Sequence, residues 1–582
     1  MANATAPPRD GAAQPRGVNT GGDEPPSGRQ SDRAIFRQSG LTGVAAGAGI
    51  LAGLILDVSI ALRFGAGTNT DAFFVASRIP LGLVAVVMAA ANQALVPAFR
   101  TSLTQRGERS TDRLISMVLA VVLIVGVALV ALTAVIAWPL MRVTAPGIST
   151  HEVGLAASMV PVVFAMVPLV AIAEVMRAYL NARYAFVAPA LMTVVLNGLG
   201  AAMILVLPVL DPSFKDIHLV AYAFLAGALA QAVFMVLMAI RRGLRLRPAL
   251  DLGDTQLRAI GKLCIRPLGA AGLNPVARVG EQLMVSFLPV GSITILNYGY
   301  LVVSAVGGTV FFRSVIVALL PRLTDAHNRA GQEEVRRFTG LGIRIMLAIS
   351  LPLTAYMAVL GLPAAVLVFD RGQFLLSKAE LLGAVLAVYS ISLVGSAVQR
   401  AVLAPFYARL DTRTPLRNAL YGVIANLVLL PVLVLPFGIH NKNAIIGVAL
   451  AYSLAQYVNV AHGWYRLHQT DGNPGRGVLG FTLRLTFASA ISALSMLGAY
   501  YVFNLGGEAR TGDRLGLLIR TPITGLIGLV VLVAVIYLLA GSEIRSWRSL
   551  LRRRRPPTGG SGGSGKIAAD DDASSEPPEP PI

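Results

Sequence analysis

The chain carries little charge and almost no cysteine for its length. Of its 582 residues, 14% are charged, whereas about 25% are charged in an average soluble domain. A single cysteine, Cys264, excludes an intramolecular disulfide and a metal site built from cysteines. The six histidines include no pair at the spacing of metal ligands. The composition excludes an ordinary soluble enzyme, and we expect neither a metal nor a cofactor.

The sequence also lacks the short motifs that bind nucleotides or activate a serine nucleophile. It contains no GxxxxGK[ST] phosphate loop, no GxSxG turn, and no GxGxxG segment that opens a helix after a strand. We therefore predict that the protein is not an enzyme and is not driven by a nucleotide. If it transports a substrate, the energy has to come from an ion gradient or from the membrane potential.

The sequence is instead rich in long apolar runs. Hydrophobic residues make up 55% of the chain, and its mean hydropathy is +0.67. Runs of about 20 apolar residues, enough for a helix to cross a bilayer, recur along most of the sequence. The sequence predicts an all-α polytopic membrane protein with 14 transmembrane helices. The predicted spans are 41–63, 73–96, 114–138, 155–179, 187–209, 218–240, 267–289, 293–320, 343–368, 382–405, 418–437, 443–465, 480–503 and 521–540.

The basic residues predict the orientation in the membrane. The net charge of +19 would suggest a nucleic-acid partner in a soluble protein. Here about twenty Lys and Arg lie in loops after even-numbered spans and about eight in loops after odd-numbered spans. Because cytoplasmic loops are enriched in basic residues, we expect both termini to be cytoplasmic. Membrane lipids are then the surroundings, and no nucleic-acid partner is expected.

The two ends of the chain differ from its apolar body. Residues 1–34 are rich in Pro, Gly, Arg and Asp, and residues 546–582 pass from a basic cluster through a Gly/Ser linker to an acidic, Pro-rich end. Such compositions do not supply enough apolar surface to fold. Both segments are therefore predicted to be disordered cytoplasmic tails.

Ionisable residues inside the spans are candidate functional residues, because a charge in the bilayer centre costs several kcal/mol. Asp57 lies in the middle of the first span, where it either faces a polar cavity or pairs with another helix. Arg78 lies near the start of the second span and either reaches that cavity or extends to the membrane surface. Glu174 and Arg177 are three residues apart, which favours a pair within one helix.

The seventh and eighth predicted spans carry the most conspicuous charges. Arg278, Glu281 and Gln282 occupy adjacent turns of the seventh span, which therefore cannot face lipid and is predicted to line a hydrated cavity. Arg313 is the only charge in GGTVFFRSVIVALLP of the eighth span. A guanidinium group matches two phosphate oxygens at once. Arg278 and Arg313 are therefore predicted to share a cavity that holds an anionic substrate.

Five stretches of the sequence fall in order at helix ends and carry a family resemblance. They resemble the MurJ/MviN family of lipid II flippases, which belongs to the multidrug/oligosaccharidyl-lipid/polysaccharide exporter superfamily. The similarity runs from residue 35 to about residue 545. The stretches are FGAGTNTDAFFVASRIP (64–80), ALVPAFR (94–100), RVTAPGI (142–148), LVFDRGQF (367–374) and QRAVLAPFYARLDTRTP (399–415).

The resemblance implies an architecture and a function. Two pseudo-symmetric six-helix bundles, 35–250 and 251–470, would enclose a central cavity, and two further helices in 471–545 would form a lipid-facing groove. The expected function is movement of a polyprenyl-pyrophosphate-linked glycan, lipid II or a related cell-wall precursor, across the bacterial cytoplasmic membrane by alternating access. The lipid-linked glycan is the expected partner, together with proteins of cell-envelope synthesis.

The chain departs from the family pattern at several cationic positions. Leu56 stands where the first helix of the family carries an arginine before its aspartate, and Val84 stands where an arginine is usual in the second helix. The eighth helix of the family commonly has an Asp-Arg pair after a tyrosine, whereas here Tyr298 is followed by Gly299, Tyr300 and Leu301. The predicted cavity residues of this chain are Asp57, Arg78, Arg278, Glu281 and Arg313, with Asp57 as the candidate for ion or proton coupling.

Two other functions stay open at this point. One is export of another lipid-linked oligosaccharide, or drug/cation antiport, within the same superfamily. The other is a cell-envelope scaffold that transports nothing, which the missing family arginines favour. The charges kept at Asp57, Arg278, Glu281 and Arg313 count against a scaffold, which has no reason to retain buried charges.

Overall fold

The structure is a computed structural model that describes most of the chain. It describes residues 29–211, 215–305, 307, 312–473, 477–511 and 513–552, without the side chains of 29–40, 265–267, 270, 313–314, 329–330 and 540–552. Every regular element in these ranges is helical.

The described ranges contain seventeen α-helices. They are α1 (Arg29–Phe64), α2 (Thr68–Ala90), α3 (Val96–Thr144), α4 (Thr150–Phe164), α5 (Met166–Ala182), α6 (Val187–Leu210), α7 (His218–Arg241), α8 (Thr255–Val285), α9 (Ser292–Val303), α10 (Phe312–Asp325), α11 (Gln332–Phe369), α12 (Leu376–Ala408), α13 (Arg413–Val434), α14 (Ala444–Asp471), α15 (Val478–Val502), α16 (Leu505–Thr511) and α17 (Arg514–Arg552).

Eleven helical segments in the described ranges are long and apolar enough to cross a membrane. One of them, Thr68–Thr144, holds two predicted spans, because a π-helical turn at Ala91–Leu95 joins α2 to α3 without a break. The predicted span 267–289 falls on the charged helix α8, and 293–320 falls on the short α9 and on α10. The all-α membrane fold is confirmed, and the number fourteen stays a prediction.

The first and last helices extend into segments that were predicted to be disordered. Helix α1 begins at Arg29 and α17 ends at Arg552, whereas the predicted tails were 1–34 and 546–582. Extending an existing helix costs much less than starting one, so a membrane helix continues past its apolar run. The rest of both predicted tails, 1–28 and 553–582, lies outside the described residues.

The helices pack as two groups with a seam between them. Helices α1 to α7 form one group, α9 to α14 form the other, and α15 and α17 pack together against α11. Helix α8 lies at the seam, because it packs on α2 and α3 of the first group and on α13 of the second. We call these groups the first and second bundles; the pseudo-symmetry and the boundaries 35–250 and 251–470 stay predictions.

Among the described residues, the main apolar cluster joins the bundles at one end. The main cluster includes residues of both bundles, and the ring of Phe74 in α2 meets the ring of Tyr298 in α9 edge-to-face, with centroids 5.6 Å apart. Two smaller clusters occupy the opposite end, one among α2 to α8 and the other among α10 to α12. By the predicted orientation the joined end is external and the divided end is cytoplasmic.

Candidate functional site

A polar cavity lies where α2, α8 and α9 meet. Its enclosed space is about 10 Å³, room for about one water molecule, and the space including open solvent at its mouth is about 260 Å³. Three of the predicted site residues, Arg78, Arg278 and Glu281, line it together. Its other lining residues are Gln282, Val285, Ile293, Leu296 and Asn297.

Arg78 brings a positive charge to this cavity without an acidic partner of its own. Its Nε donates to Oε1 of Gln282 and its Nη1 to Oδ1 of Asn297, each at 3.2 Å. In the described part of the chain Arg78 forms no ion pair, and Glu281, the acidic group that acts on it electrostatically, is already bound to Arg278. A guanidinium held only by neutral amides retains its affinity for an anion.

Arg278 lies in the same cavity, but its charge is compensated. Its Nη1 donates to Oε2 of Glu281 at 2.7 Å, and its guanidinium carbon lies 3.3 Å from the centre of the Tyr300 ring and 5.2 Å from that of Tyr452. The other carboxylate oxygen of Glu281 accepts a 2.8 Å hydrogen bond from Asn426. These contacts connect α8 to α9, α13 and α14, so Arg278 stabilises the second bundle.

A third arginine near the cavity was not selected from the sequence. Arg400 lies in α12 inside a membrane span, is exposed, and has its guanidinium carbon 5.9 Å from the centre of the Phe312 ring. It interacts electrostatically with Tyr300 and Tyr452, the two rings that flank Arg278. Its location in the predicted span 382–405 was the signal, because a charge within a span marks a candidate site.

Two of the predicted site residues are not brought into this cluster. Asp57 is half-buried in α1, and it makes no hydrogen bond or ion pair with any residue that the structure describes. It acts electrostatically on the buried Tyr298, but it does not line the cavity. The backbone of Arg313 belongs to α10, whereas its side chain lies outside the described residues. A cavity shared by Arg278 and Arg313 therefore stays a prediction.

Asp71, at the start of α2, connects the two bundles and was also missed. Its Oδ2 accepts the Gly291 N–H at 2.6 Å, and its Oδ1 accepts the Thr294 N–H at 2.8 Å and the Thr294 hydroxyl at 2.6 Å. These N–H groups belong to the first turn of α9, where helices have unsatisfied donors and a positive dipole end. A carboxylate of the first bundle thus caps a helix of the second. Its presence in the motif 64–80 was the available signal.

Backbone contacts close the same end of the molecule. The Gln373 N–H donates to the Leu62 carbonyl at 3.0 Å, and the Gly147 N–H donates to Oγ of Ser286 at 3.0 Å. At Gly65, where φ is +67°, an added Cβ would lie only 2.4 Å from the Gln373 carbonyl oxygen. The bundles therefore meet backbone to backbone at this end, beyond the cavity.

Glu174 and Arg177 form the pair that their spacing predicts. Nε of Arg177 donates to Oε2 of Glu174 at 2.6 Å, and Glu174 is fully buried. Both residues belong to α5, inside the first bundle. Their charges neutralise each other and do not contribute to the cavity.

The chain matches known proteins over most of its length. A family model described as "Lipid II flippase MurJ" matches residues 60–507. The probable lipid II flippase MurJ of Vibrio cholerae is 26% identical over 518 residues, covering 85% of this chain and 94% of that protein. The lipid II flippase MurJ of Burkholderia cenocepacia is 26% identical over 521 residues, covering 84% and 93%.

Solved structures share the fold. A structure described as "Lipid II flippase MurJ, inward closed conformation" superposes with a TM-score of 0.71 at 20% identity, covering 88% of this chain and all of that one. An inward-facing multidrug transporter of the MATE family gives a TM-score of 0.61 at 15% identity, covering 73% and 98%. At these identities the likeness concerns the fold alone.

Proposed function

The chain belongs to the lipid II flippase MurJ family, and on that basis we propose that it moves lipid II from the inner to the outer leaflet of the bacterial cytoplasmic membrane. The family predicted from the sequence motifs is thereby confirmed. Drug/cation antiport, export of another oligosaccharide and a scaffold role are not favoured, because the family match covers most of the chain.

Lipid II poses a physical problem that the cavity addresses. A sugar headgroup with a charged pyrophosphate cannot cross about 30 Å of hydrocarbon without polar groups to replace its water. Arg78 supplies a positive charge that has no acidic partner in the described part of the chain, and the amides of Gln282 and Asn297 supply further polar groups. This unpaired charge in the cavity is the observation that carries the proposed function.

The arginines of the site have different roles in this proposal. Arg78 binds the pyrophosphate, because its donors bond to neutral acceptors that a phosphate oxygen can replace. Arg400 is a second contact for the anionic headgroup, on the opposite bundle. Arg278 holds the second bundle together through Glu281 and the Tyr300 ring, and does not release its partner to bind substrate.

The arrangement of the bundles fits one state of an alternating-access cycle. The bundles meet at the Asp71 end and have separate apolar clusters at the other end. By the predicted orientation, the end at which the two bundles have separate apolar clusters faces the cytoplasm. It is therefore the end nearest the inner leaflet, from which lipid II is taken. Opening to the outside requires Asp71 to release Gly291 and Thr294.

Energy for the cycle has to come from a source other than a bound nucleotide, since the chain has none of the nucleotide motifs. Asp57 is the candidate coupling residue, because its carboxylate lies within a span and has no partner in the described part of the chain. In this role it exchanges a proton or binds a cation during the cycle. Among the described contacts, the side chains of Arg78 and Arg278 bond to other residues and not to Asp57.

A reconstituted assay tests the function directly. The purified chain in liposomes that contain labelled lipid II should bring the inner-leaflet lipid to an impermeant reagent outside. Arg78→Gln should reduce the rate about ten-fold or more, since one charge-assisted contact of roughly 1.5–3 kcal/mol is lost. Arg142→Gln, which removes an arginine outside the cavity, is the matched control and should retain activity. Wild-type liposomes that leave lipid II in its original leaflet would contradict the proposal.

A further inference from the structure

One face of α2 contacts α8 and α9 at three levels. Asp71, Arg78 and Gly82 are separated by seven and four residues, which places them on the same side of the helix. Asp71 caps α9, Arg78 donates to Gln282 and Asn297, and Gly82 lies so close to Pro275 of α8 that an added Cβ would be 2.8 Å away. We call this row of three contacts the α2 seam.

The three contacts of the α2 seam differ in what is able to break them. The Asp71 contact is a buried carboxylate on backbone N–H groups, and the Gly82 contact is a close fit of apolar atoms. Neither offers a donor to an anionic lipid. Arg78 does, because its present acceptors are two uncharged amide oxygens and a charged acceptor forms roughly twice as strong a hydrogen bond.

Arg78 is also placed to affect the Asp71 contact. The two residues are two helical turns apart, or about 10 Å along α2. Pro80 lies inside the same helix and has no N–H to donate to the carbonyl of Ala76, so α2 lacks a backbone hydrogen bond between the levels of Asp71 and Gly82. A missing bond of this kind makes a helix easier to bend.

We propose that the pyrophosphate of the lipid substrate opens the α2 seam by taking Arg78 away from Gln282 and Asn297. This inference rests on the proposed function and assigns it a trigger. A ligand shifts a conformational equilibrium only if it binds the two states with different affinity. Here the difference arises because the amides compete with the phosphate for Arg78 only while the seam is closed. Binding therefore favours the state in which α2 has left α8 and α9.

The test measures whether the closed end opens when a diphosphate lipid binds. Ser292 follows Gly291 directly and is 3% exposed, and its hydroxyl donates to the Pro289 carbonyl. Ser292→Cys in a Cys264→Ser background therefore reports opening through its rate of reaction with a bulky maleimide. The full-length protein in detergent is labelled with the maleimide in the presence of polyprenyl diphosphate or of the uncharged polyprenol. We expect the diphosphate to raise the rate roughly ten-fold, an ordinary strength of ligand coupling, and polyprenol to leave it unchanged.

Two substitutions in this background separate the trigger from simple binding. Asn297→Asp places a carboxylate against Arg78 with which the phosphate has to compete, so the response to diphosphate should fall to less than a third. Arg78→Gln should abolish the response, and Arg142→Gln should leave it intact. If Asn297→Asp does not fold, Gln282→Glu takes its place, because it also puts a carboxylate against Arg78.

The outcomes distinguish the trigger from the function. If diphosphate leaves labelling unchanged in the wild-type background while lipid II is still flipped, the trigger is wrong and the function stands. If diphosphate accelerates labelling while lipid II is not flipped, the trigger stands and the substrate is wrong. A full response in Arg78→Gln or in both carboxylate variants overturns the role of Arg78.

Discussion

The carboxylate of Asp71 in α2 accepts a 2.6 Å hydrogen bond from the N–H of Gly291, which precedes α9. The two residues are 220 positions apart and belong to different bundles. The contact supplies an N-terminal cap to α9 from outside its own segment, and it does so only when the bundles are together at this end. The stability of the closed end and that of a helix terminus are therefore linked.

Removing the charge of Asp71 should weaken the closed end. Asp71→Asn keeps the shape of the side chain but brings an NH₂ group against N–H donors, so we expect a loss of about 1–3 kcal/mol in the closed state. The cysteine at position 292 should then react faster without any ligand. Asp216→Asn changes an exposed aspartate in another loop and is the control. Equal labelling rates in Asp71→Asn and its parent would show that the cap does not hold this end closed.

Gly291 should not tolerate a side chain. Its φ is +92°, and an added Cβ would lie 2.6 Å from Nζ of Lys378 and 2.9 Å from the Ala66 carbonyl oxygen. Gly291→Ala should therefore cost about 1–3 kcal/mol of stability, measured by thermal unfolding in detergent. Gly331→Ala is matched, because Gly331 also has a positive φ of 84° but an added Cβ there would meet no described atom within 4 Å. At Gly331 an alanine should cause only the backbone strain of a positive φ. A loss of stability as large as that of Gly291→Ala would contradict the steric explanation.

The Arg278–Glu281 pair should be essential for stability. Glu281→Gln leaves a buried guanidinium without its counter-ion, and breaking such a pair costs about 3–5 kcal/mol. We expect a marked fall in the unfolding temperature, with partial recovery in Arg278→Met combined with Glu281→Leu. Glu380→Gln breaks a more exposed pair with Arg510 and should change the unfolding temperature little. A stable Glu281→Gln protein with impaired flipping would instead make Arg278 a substrate contact.

Asp57→Asn tests coupling at the α1 carboxylate, which has no partner among the described residues. The substitution keeps shape and hydrogen bonding but removes the charge. We expect a variant that folds and inserts normally yet loses most of its flipping activity. Asp513→Asn, outside the membrane spans, is the control. Full activity of Asp57→Asn across about pH 6 to 8 would remove this residue from the mechanism.

The topology follows from the loop charges and has its own test. A reporter fused after Gly541 should be cytoplasmic, and one inserted near Lys442 should be external, if both termini face the cytoplasm. The opposite location at either site would overturn the fourteen-span arrangement. It would also place the Asp71 end on the cytoplasmic side.

The sequence by itself determined the class of protein and most of its spans. A helix has to be apolar over about 20 residues to cross a bilayer, and that requirement is visible in any window of the chain. The rule that charges within spans mark function selected Arg78, Arg278 and Glu281, which the structure brings to one cavity. The spacing of Arg278 and Glu281, three residues in one helix, was already enough for a pair.

Only the tertiary structure decided which arginine keeps an available charge. The partners of Arg78 are 204 and 219 positions away, and those that hold α9 at Asp71 are equally remote. Asp71 was overlooked because an acidic residue at the start of a span resembles an ordinary interface residue. Local patterns report the period of a helix and the solvent it faces, whereas pairing across two bundles depends on how distant segments pack.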